Sequence, residues 1–229
     1  MKVSFFSRRA AKNAGWLVAG RILHMALAFL VNLLTARYLG PSNYGLVNYA
    51  ALYTAFFTSF ATLGLSSLLL KDFMDDPEGA GTTVGTAIAM RLLSSTLSAV
   101  TILAIVAVVD RGERLTMTVV ALYSMSLIFQ AFDTIQYWFQ SRLESKYATI
   151  ATSVGYIIVS FYKVLLLVLG KDVRWFAISN TIDYAVAAIV FLGLYKWRGG
   201  PVCIFRLQRG APSAPERELY SLRPYGVRL

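Results

Sequence analysis

Five ionisable side chains stand inside long apolar stretches of the sequence: Arg21, Arg91, Asp133, Lys163 and Asp183. An ionised group near a bilayer centre costs about 2.5–3.5 kcal/mol on insertion scales, and each Leu, Ile, Val or Phe returns about 0.3–0.6 kcal/mol. The apolar neighbours therefore offset the charge, and the segments still insert. Charges at such depth turn toward a bundle interior or a watery cavity, away from acyl chains. Three cations against two anions leave one positive charge without a counter-ion. Two readings follow. Either the charges satisfy one another as buried pairs, or they line a polar route in which Arg21, Arg91 and Lys163 bind an anionic substrate. In the second reading Asp133 and Asp183 serve as ion-pair partners or coupling groups. A diphosphate carried on a lipid suits it, because the arginine fork meets phosphate oxygens two at a time.

Bond-breaking chemistry has little to work with. His24 is the single histidine and Cys203 the single cysteine. Neither a zinc-ligand cluster, a Ser/His/Asp constellation nor an internal disulfide can be assembled from them. No P-loop and no dinucleotide fingerprint occurs. Asp72-Phe73-Met74-Asp75-Asp76 reads as a solvated acidic turn, since a magnesium-diphosphate site of the prenyl-transferase kind needs a second acidic loop. The chain is expected not to be an enzyme and to need no cofactor or metal.

The elements that must position these charges are long. Of 229 residues, 57% are hydrophobic and 15% charged; soluble domains run about 45–50% apolar and about 25% charged. That balance excludes a cytosolic enzyme, and the 14% aromatic content excludes a disordered chain. A spanning helix needs about 20 apolar residues, from about 30 Å of hydrocarbon at a 1.5 Å rise. Six stretches qualify: Ala14–Ala36, Leu46–Leu70, Thr83–Val109, Leu115–Phe139, Tyr147–Leu169 and Trp175–Trp197. Short polar links, such as Gly40-Pro41-Ser42-Asn43 and Asp75-Asp76-Pro77-Glu78-Gly79, join them. Unpaired backbone cannot face lipid, so the expected fold is an all-α, antiparallel bundle of six transmembrane helices. Residues 1–13 form a basic amino terminus, 14–197 the bundle, and 198–229 a tail.

Orientation follows from the cations. Lys2, Arg8, Arg9, Lys12, Lys71, Arg142, Lys146, Lys196 and Arg198 lie at one end, and Arg37, Arg111, Arg114, Lys171 and Arg174 at the other. The richer end belongs in the cytoplasm, which places both termini there. The net charge of +10 comes from cations flanking spans, without a basic face interleaved with stacking aromatics, so nucleic acid is not the expected partner; the Lys2–Lys12 segment is expected to be drawn to anionic lipid of the bilayer.

Depth follows from register. Arg21 and Arg91 fall about 10–12 Å inside the boundary on the side where spans one and three begin, and Lys163 about 9 Å from the opposite one. Asp133, on a descending span, joins the first pair; Asp183 joins Lys163. Two ion-pair layers are expected: Arg21, Arg91 and Asp133 in the inner half, Lys163 and Asp183 in the outer half.

The tail changes composition. Residues 198–229 hold Arg198, Arg206, Arg209, Arg217, Arg223 and Arg228, no lysine, and four of the six prolines. It reads either as a disordered cytoplasmic segment or as out-of-frame sequence.

Around the first link the residues become specific: Ala36-Arg37-Tyr38-Leu39-Gly40-Pro41-Ser42-Asn43-Tyr44-Gly45, followed by Leu63-Gly64-Leu65 and Lys71-Asp72. This resembles the amino-terminal signature of the polysaccharide biosynthesis family, the Wzx-like O-antigen flippases of the multidrug/oligosaccharidyl-lipid/polysaccharide exporter superfamily. The resemblance covers residues 12–197. It implies an inner-membrane flippase that moves polyprenyl-diphosphate-linked oligosaccharide toward the periplasm for polysaccharide or lipopolysaccharide export. It also implies that Arg21, Arg91 and Lys163 face the substrate cavity. The family has 12 to 14 spans in two lobes, and six spans correspond to the first lobe. The expected partners are therefore a second copy or a separately encoded second lobe, with a truncated form as the other reading. Alternating access needs two bodies about one site. Two further functions stay open: a cation-coupled drug or metabolite exporter of the same superfamily, using Asp133 or Asp183, and a non-transporting membrane subunit of polysaccharide assembly. A membrane glycosyltransferase is disfavoured by the lack of paired loop carboxylates and of a loop histidine.

Overall fold

The computed structural model describes residues 2–200 apart from 63, 76–78 and 111–112, with side chains from residue 14 onward and not at 67. The described residues form eight α-helices: α1 (Lys2–Ala61), α2 (Ser66–Asp75), α3 (Ala80–Val109), α4 (Arg114–Ser124), α5 (Ser126–Gln130), α6 (Thr134–Ser141), α7 (Ser145–Val168) and α8 (Val173–Trp197). A single 3₁₀ turn, Ala131–Asp133, joins α5 to α6. Residues 201–229, most of the tail, lie outside the described region.

Five helical segments are long and apolar enough to cross a membrane, where the sequence led us to expect six. The difference lies in the first, Ala14–Ala61, which joins the first two expected spans. Forty-eight residues of helix would run about 72 Å, more than twice a bilayer's hydrocarbon. Gly40 breaks it, with φ 71° and ψ 172°, a conformation open essentially to glycine alone. Pro41 then opens the second limb at the position where its missing N–H is no loss. The expected link from Arg37 to Gly45 thus contracts to one residue. The second limb ends at Ala61, earlier than Leu70, at a turn where Gly64 takes φ 62° and the short α2 begins.

Contacts fix the directions. In the first limb of α1, Trp16 accepts a hydrogen bond from Thr149 at 3.5 Å and Tyr38 donates to the Lys171 carbonyl at 3.3 Å, so this limb runs parallel to α7. In the second limb Tyr49 donates to Asp110 at 3.0 Å and Phe60 accepts from Ser94 at 2.9 Å, so it runs antiparallel to α3. Thr181 donates to the Leu122 carbonyl at 2.5 Å, and the Trp138 and Tyr195 rings meet edge-on at 4.8 Å, which aligns α4–α6 with α8. With the two limbs counted apart, the six long elements alternate up and down. The described residues form a helical, membrane-embedded bundle without strands.

Its core is divided along the bundle axis. One apolar cluster gathers Leu69, Phe73, Val84, Ile135, Trp138, Phe139, Ala148, Ala151, Phe191 and Tyr195 at the end where α3 and α7 begin. A second gathers Leu39, Ala50, Ile102, Val106, Val119, Val120, Leu127, Leu166, Val173 and Phe176 at the opposite end. Large apolar side chains elsewhere point outward: Leu93, Val108, Phe161 and Val168 are each more than 70% exposed. A protein surrounded by lipid turns its apolar residues outward at no cost, and its helices associate through packing and hydrogen bonds.

Candidate functional site

Outside the two clusters many of the buried residues are polar, beside Ala131, Val159 and Ala188. On α3, Arg91, Ser95 and Ser98 occupy one face at helical spacing, ahead of Ile102 and Val106 of the second cluster. Ser124, Ser126, Gln130 and Thr134 face them from the fourth span, with Ser160 on α7 and Ser179 and Thr181 on α8. Several hydroxyls take local main-chain partners: Thr134 donates to the Ala131 carbonyl at 2.9 Å and Ser179 to Phe176 at 2.6 Å. The Oγ atoms of Ser126 and Ser160 are buried with no hydrogen-bond partner.

Arg91 is the central side chain of this layer. It is 2% exposed, its Nε and Nη2 are buried without a hydrogen-bond partner, and its guanidinium lies 5.7 Å from the Tyr137 ring centre. A buried guanidinium with vacant donors is costly, since each unmade bond to a charged group forfeits about 1.5–3 kcal/mol. Asp133 is within electrostatic reach of Arg91 and also of Asp183. Asp183 is in turn within reach of Lys163. Among the described residues, ion pairs closer than 4.0 Å join Arg174 to Asp172 and Arg198 to Glu144 only, so the central charges attract one another without closing into contact pairs. Tyr184 stands in the field of both carboxylates, and Tyr123 and Tyr156 in that of Asp183.

Arg91 with Asp133 and Lys163 with Asp183 are the electrostatic neighbours. They form one seam instead of two separate layers, because Asp133 reaches across to Asp183. Local structure explains the reach. The fourth span, Arg114–Ser141, keeps right-handed helical main-chain angles at Met125 and tightens to a 3₁₀ turn at Ala131–Asp133. Asp133 ends that turn. A 3₁₀ stretch inside a span commonly marks a hinge or strain.

Arg21 lies elsewhere. It is exposed and lines a cleft of about 220 Å³ between α1, α6 and α7, with Leu17, Gly20, His24, Gln136, Thr149, Thr152 and Ser153. Arg21 is exposed in this cleft whereas Arg91 is 2% exposed, so the two cations stand in different surroundings. Depth along a helix sets no azimuth, and Arg21 occupies a different face of the bundle. His24 stacks on Tyr156 with ring centres 3.8 Å apart, which ties the cleft to the tyrosines around Asp183.

Sequence reasoning missed Tyr184, Tyr123, Tyr156 and Gln136, because aromatic and amide residues blend into an apolar span. The legible signal was on α3, where Arg91, Ser95 and Ser98 recur at helical spacing, and it does not extend to these four. No group of three or more His, Cys, Asp or Glu that could hold a metal ion occurs among the described residues.

A protein-family model described as polysaccharide biosynthesis protein matches residues 10–211. No curated protein and no solved structure matches the chain.

Proposed function

Since the chain belongs to the polysaccharide biosynthesis protein family, and is thus a membrane protein of polysaccharide synthesis or export, we propose that it is the flipping lobe for a lipid-linked oligosaccharide. Its setting in this reading is a bacterial inner membrane, with both termini in the cytoplasm. The observation that carries the proposal is Arg91: a buried guanidinium with two vacant donors in the middle of a membrane bundle. A sugar diphosphate head group carries negative charge and many hydroxyls, each costly to strip of water. Cations and hydroxyls at bilayer depth lower that barrier while the polyprenyl tail stays in lipid. The cleft at Arg21 takes the head group first, and the Arg91–Asp133–Asp183–Lys163 seam supports its passage. No covalent step is required. Alternating access needs a second body, supplied by a second copy or a separately encoded lobe.

The test is reconstituted flipping of a fluorescent polyprenyl-diphosphate oligosaccharide by the wild type, Arg21→Gln, Arg91→Gln and Lys163→Gln. A lost charge-assisted bond of about 1.5–3 kcal/mol corresponds to roughly 10- to 100-fold in rate. Full rates in all three variants would overturn the reading. A second reading draws on Asp133 and Asp183 lying within electrostatic reach of each other: a cation-coupled exporter with the ion held between carboxylates. Loss of transport in Asp183→Asn with full transport in Arg91→Gln would favour it.

A further inference from the structure

Away from the central seam, one end of the bundle carries a second set of cations, each fixed on an aromatic ring. Arg142 lies 4.2 Å from the centre of the Trp138 ring. Arg198 lies 4.6 Å from Tyr147 and 5.6 Å from Trp197, and the Lys146 ammonium lies 4.7 Å from Tyr147. We propose that this end of the bundle holds the phosphate of an anionic phospholipid between Arg142, Arg198 and Lys146, in the leaflet that these helix ends meet.

Backbone geometry builds the site. Both α6 and α8 end in the same C-terminal motif, with an arginine at the C-cap. After α8, Gly199 takes φ 68°, its N–H donates to Lys196 at 3.1 Å, and that of Gly200 donates to Tyr195 at 2.9 Å. After α6, Leu143 takes φ 55°, its N–H donates to Gln140 at 3.0 Å, and that of Glu144 donates to Phe139 at 2.9 Å. These are Schellman closures, in which glycine normally fills the left-handed position. Leu143 fills it at a steric cost, and the closure sets Arg142 over Trp138. At Gly200 a Cβ would stand 2.6 Å from the Tyr195 ring, so the chain can lie against that ring only as glycine.

The stacked arrangement suits phosphate. A guanidinium lying on a ring has its face covered while its N–H edge can meet phosphate oxygens; Arg198 gives Nη2 to Glu144 and brings its remaining N–H groups. Glu144 is the acid of this cluster, and it is engaged by Arg198 Nη2 at 2.8 Å. Arg142 and Lys146 are exposed and have no carboxylate within 4.0 Å among the described residues. Trp197, 71% exposed, stands at the end of its span, where an indole prefers the headgroup level. A lipid supplies both the phosphate and the boundary position; free phosphate supplies only the first.

This site is independent of the flipping reading, and its test measures no transport. The full chain, purified in a neutral detergent, is titrated with phosphatidylglycerol and with phosphatidylcholine, and bound lipid is counted by native mass spectrometry. We expect saturable binding of phosphatidylglycerol, weakened roughly tenfold by Arg142→Gln and by Arg198→Gln, since each removes a charged fork. Lys196→Gln removes the same charge at the same end without a stacked partner and should change binding less than about twofold. Arg142→Lys and Arg198→Lys, which keep charge and fold, should still lose most of the binding. Equal weakening by Lys196→Gln would overturn the proposal in favour of diffuse attraction. Equal binding of phosphatidylcholine, or displacement of the lipid by inorganic phosphate at matched concentration, would overturn it as well.

Discussion

Gly155 of α7 packs directly against Asp183 of α8: a Cβ at that position would stand 3.2 Å from both the main-chain oxygen and Oδ1 of Asp183. It would also lie 3.5 Å from the Ala187 amide nitrogen. Two of these three neighbours are backbone and cannot swing aside. Gly155→Ala should therefore separate α7 from α8 at the seam, at a cost of about 1–3 kcal/mol typical of overpacking. Thermal unfolding in detergent reads the loss. An unchanged transition temperature would mean that the contact is slack.

Arg91 and Asp133 attract each other across the polar layer without a contact pair. Removing either leaves the other in a low-dielectric site without that counter-charge, so Arg91→Gln and Asp133→Asn should each destabilise the bundle. The double variant should lose less than the sum of the two. Residues coupled in one network show interaction energies of about 0.5–3 kcal/mol. Additive losses in a double-mutant cycle would show that the two charges are solvated separately.

Gly40 divides a helix too long for one crossing, at φ 71° and ψ 172°. A side chain there is strained by about 1–3 kcal/mol. Gly40→Ala should lower stability by that amount and reduce the fraction inserted as six crossings. Glycosylation-site mapping on the two limbs checks the second effect. Wild-type topology with wild-type stability would contradict the account of the break.

Leu143 holds a left-handed position that glycine would fill without strain. The left-handed conformation costs an L-residue about 1–2 kcal/mol, and glycine forfeits about 0.5–1 kcal/mol in entropy. Leu143→Gly should thus raise stability by about 0.5–1 kcal/mol, whereas Leu143→Ala should not. Denaturant titration of the two variants separates strain relief from side-chain loss.

Much of the fold was legible before the structure. Apolar block length placed the crossings, because hydrocarbon thickness fixes the residues a helix needs. Register arithmetic grouped Arg21 and Arg91 with Asp133, and Lys163 with Asp183, since depth depends only on counting along a helix. Hydropathy is blind to backbone dihedrals, however. The one-residue break at Gly40 and the 3₁₀ turn ending at Asp133 leave no trace in an apolar average. It also carries no azimuth, which is why Arg21 was expected beside Arg91 and stands in a lateral cleft with Gln136 and Thr149. The Arg142–Trp138 stack was readable as a four-residue spacing on one helix face, yet the same spacing occurs in many helices without meaning.

The account rests on water reaching the cleft that Arg21 and Ser153 line. The measurement is cysteine accessibility in intact membranes, with the single native cysteine removed by Cys203→Ser. Ser153→Cys places a thiol in the cleft, and Leu97→Cys places one on the outward face of α3, where Leu97 is 68% exposed. The account predicts that a charged, membrane-impermeant thiol reagent modifies Ser153→Cys and spares Leu97→Cys. A thiol at position 153 that resists this reagent, yet yields to a lipid-soluble maleimide as readily as one at 97, would contradict it.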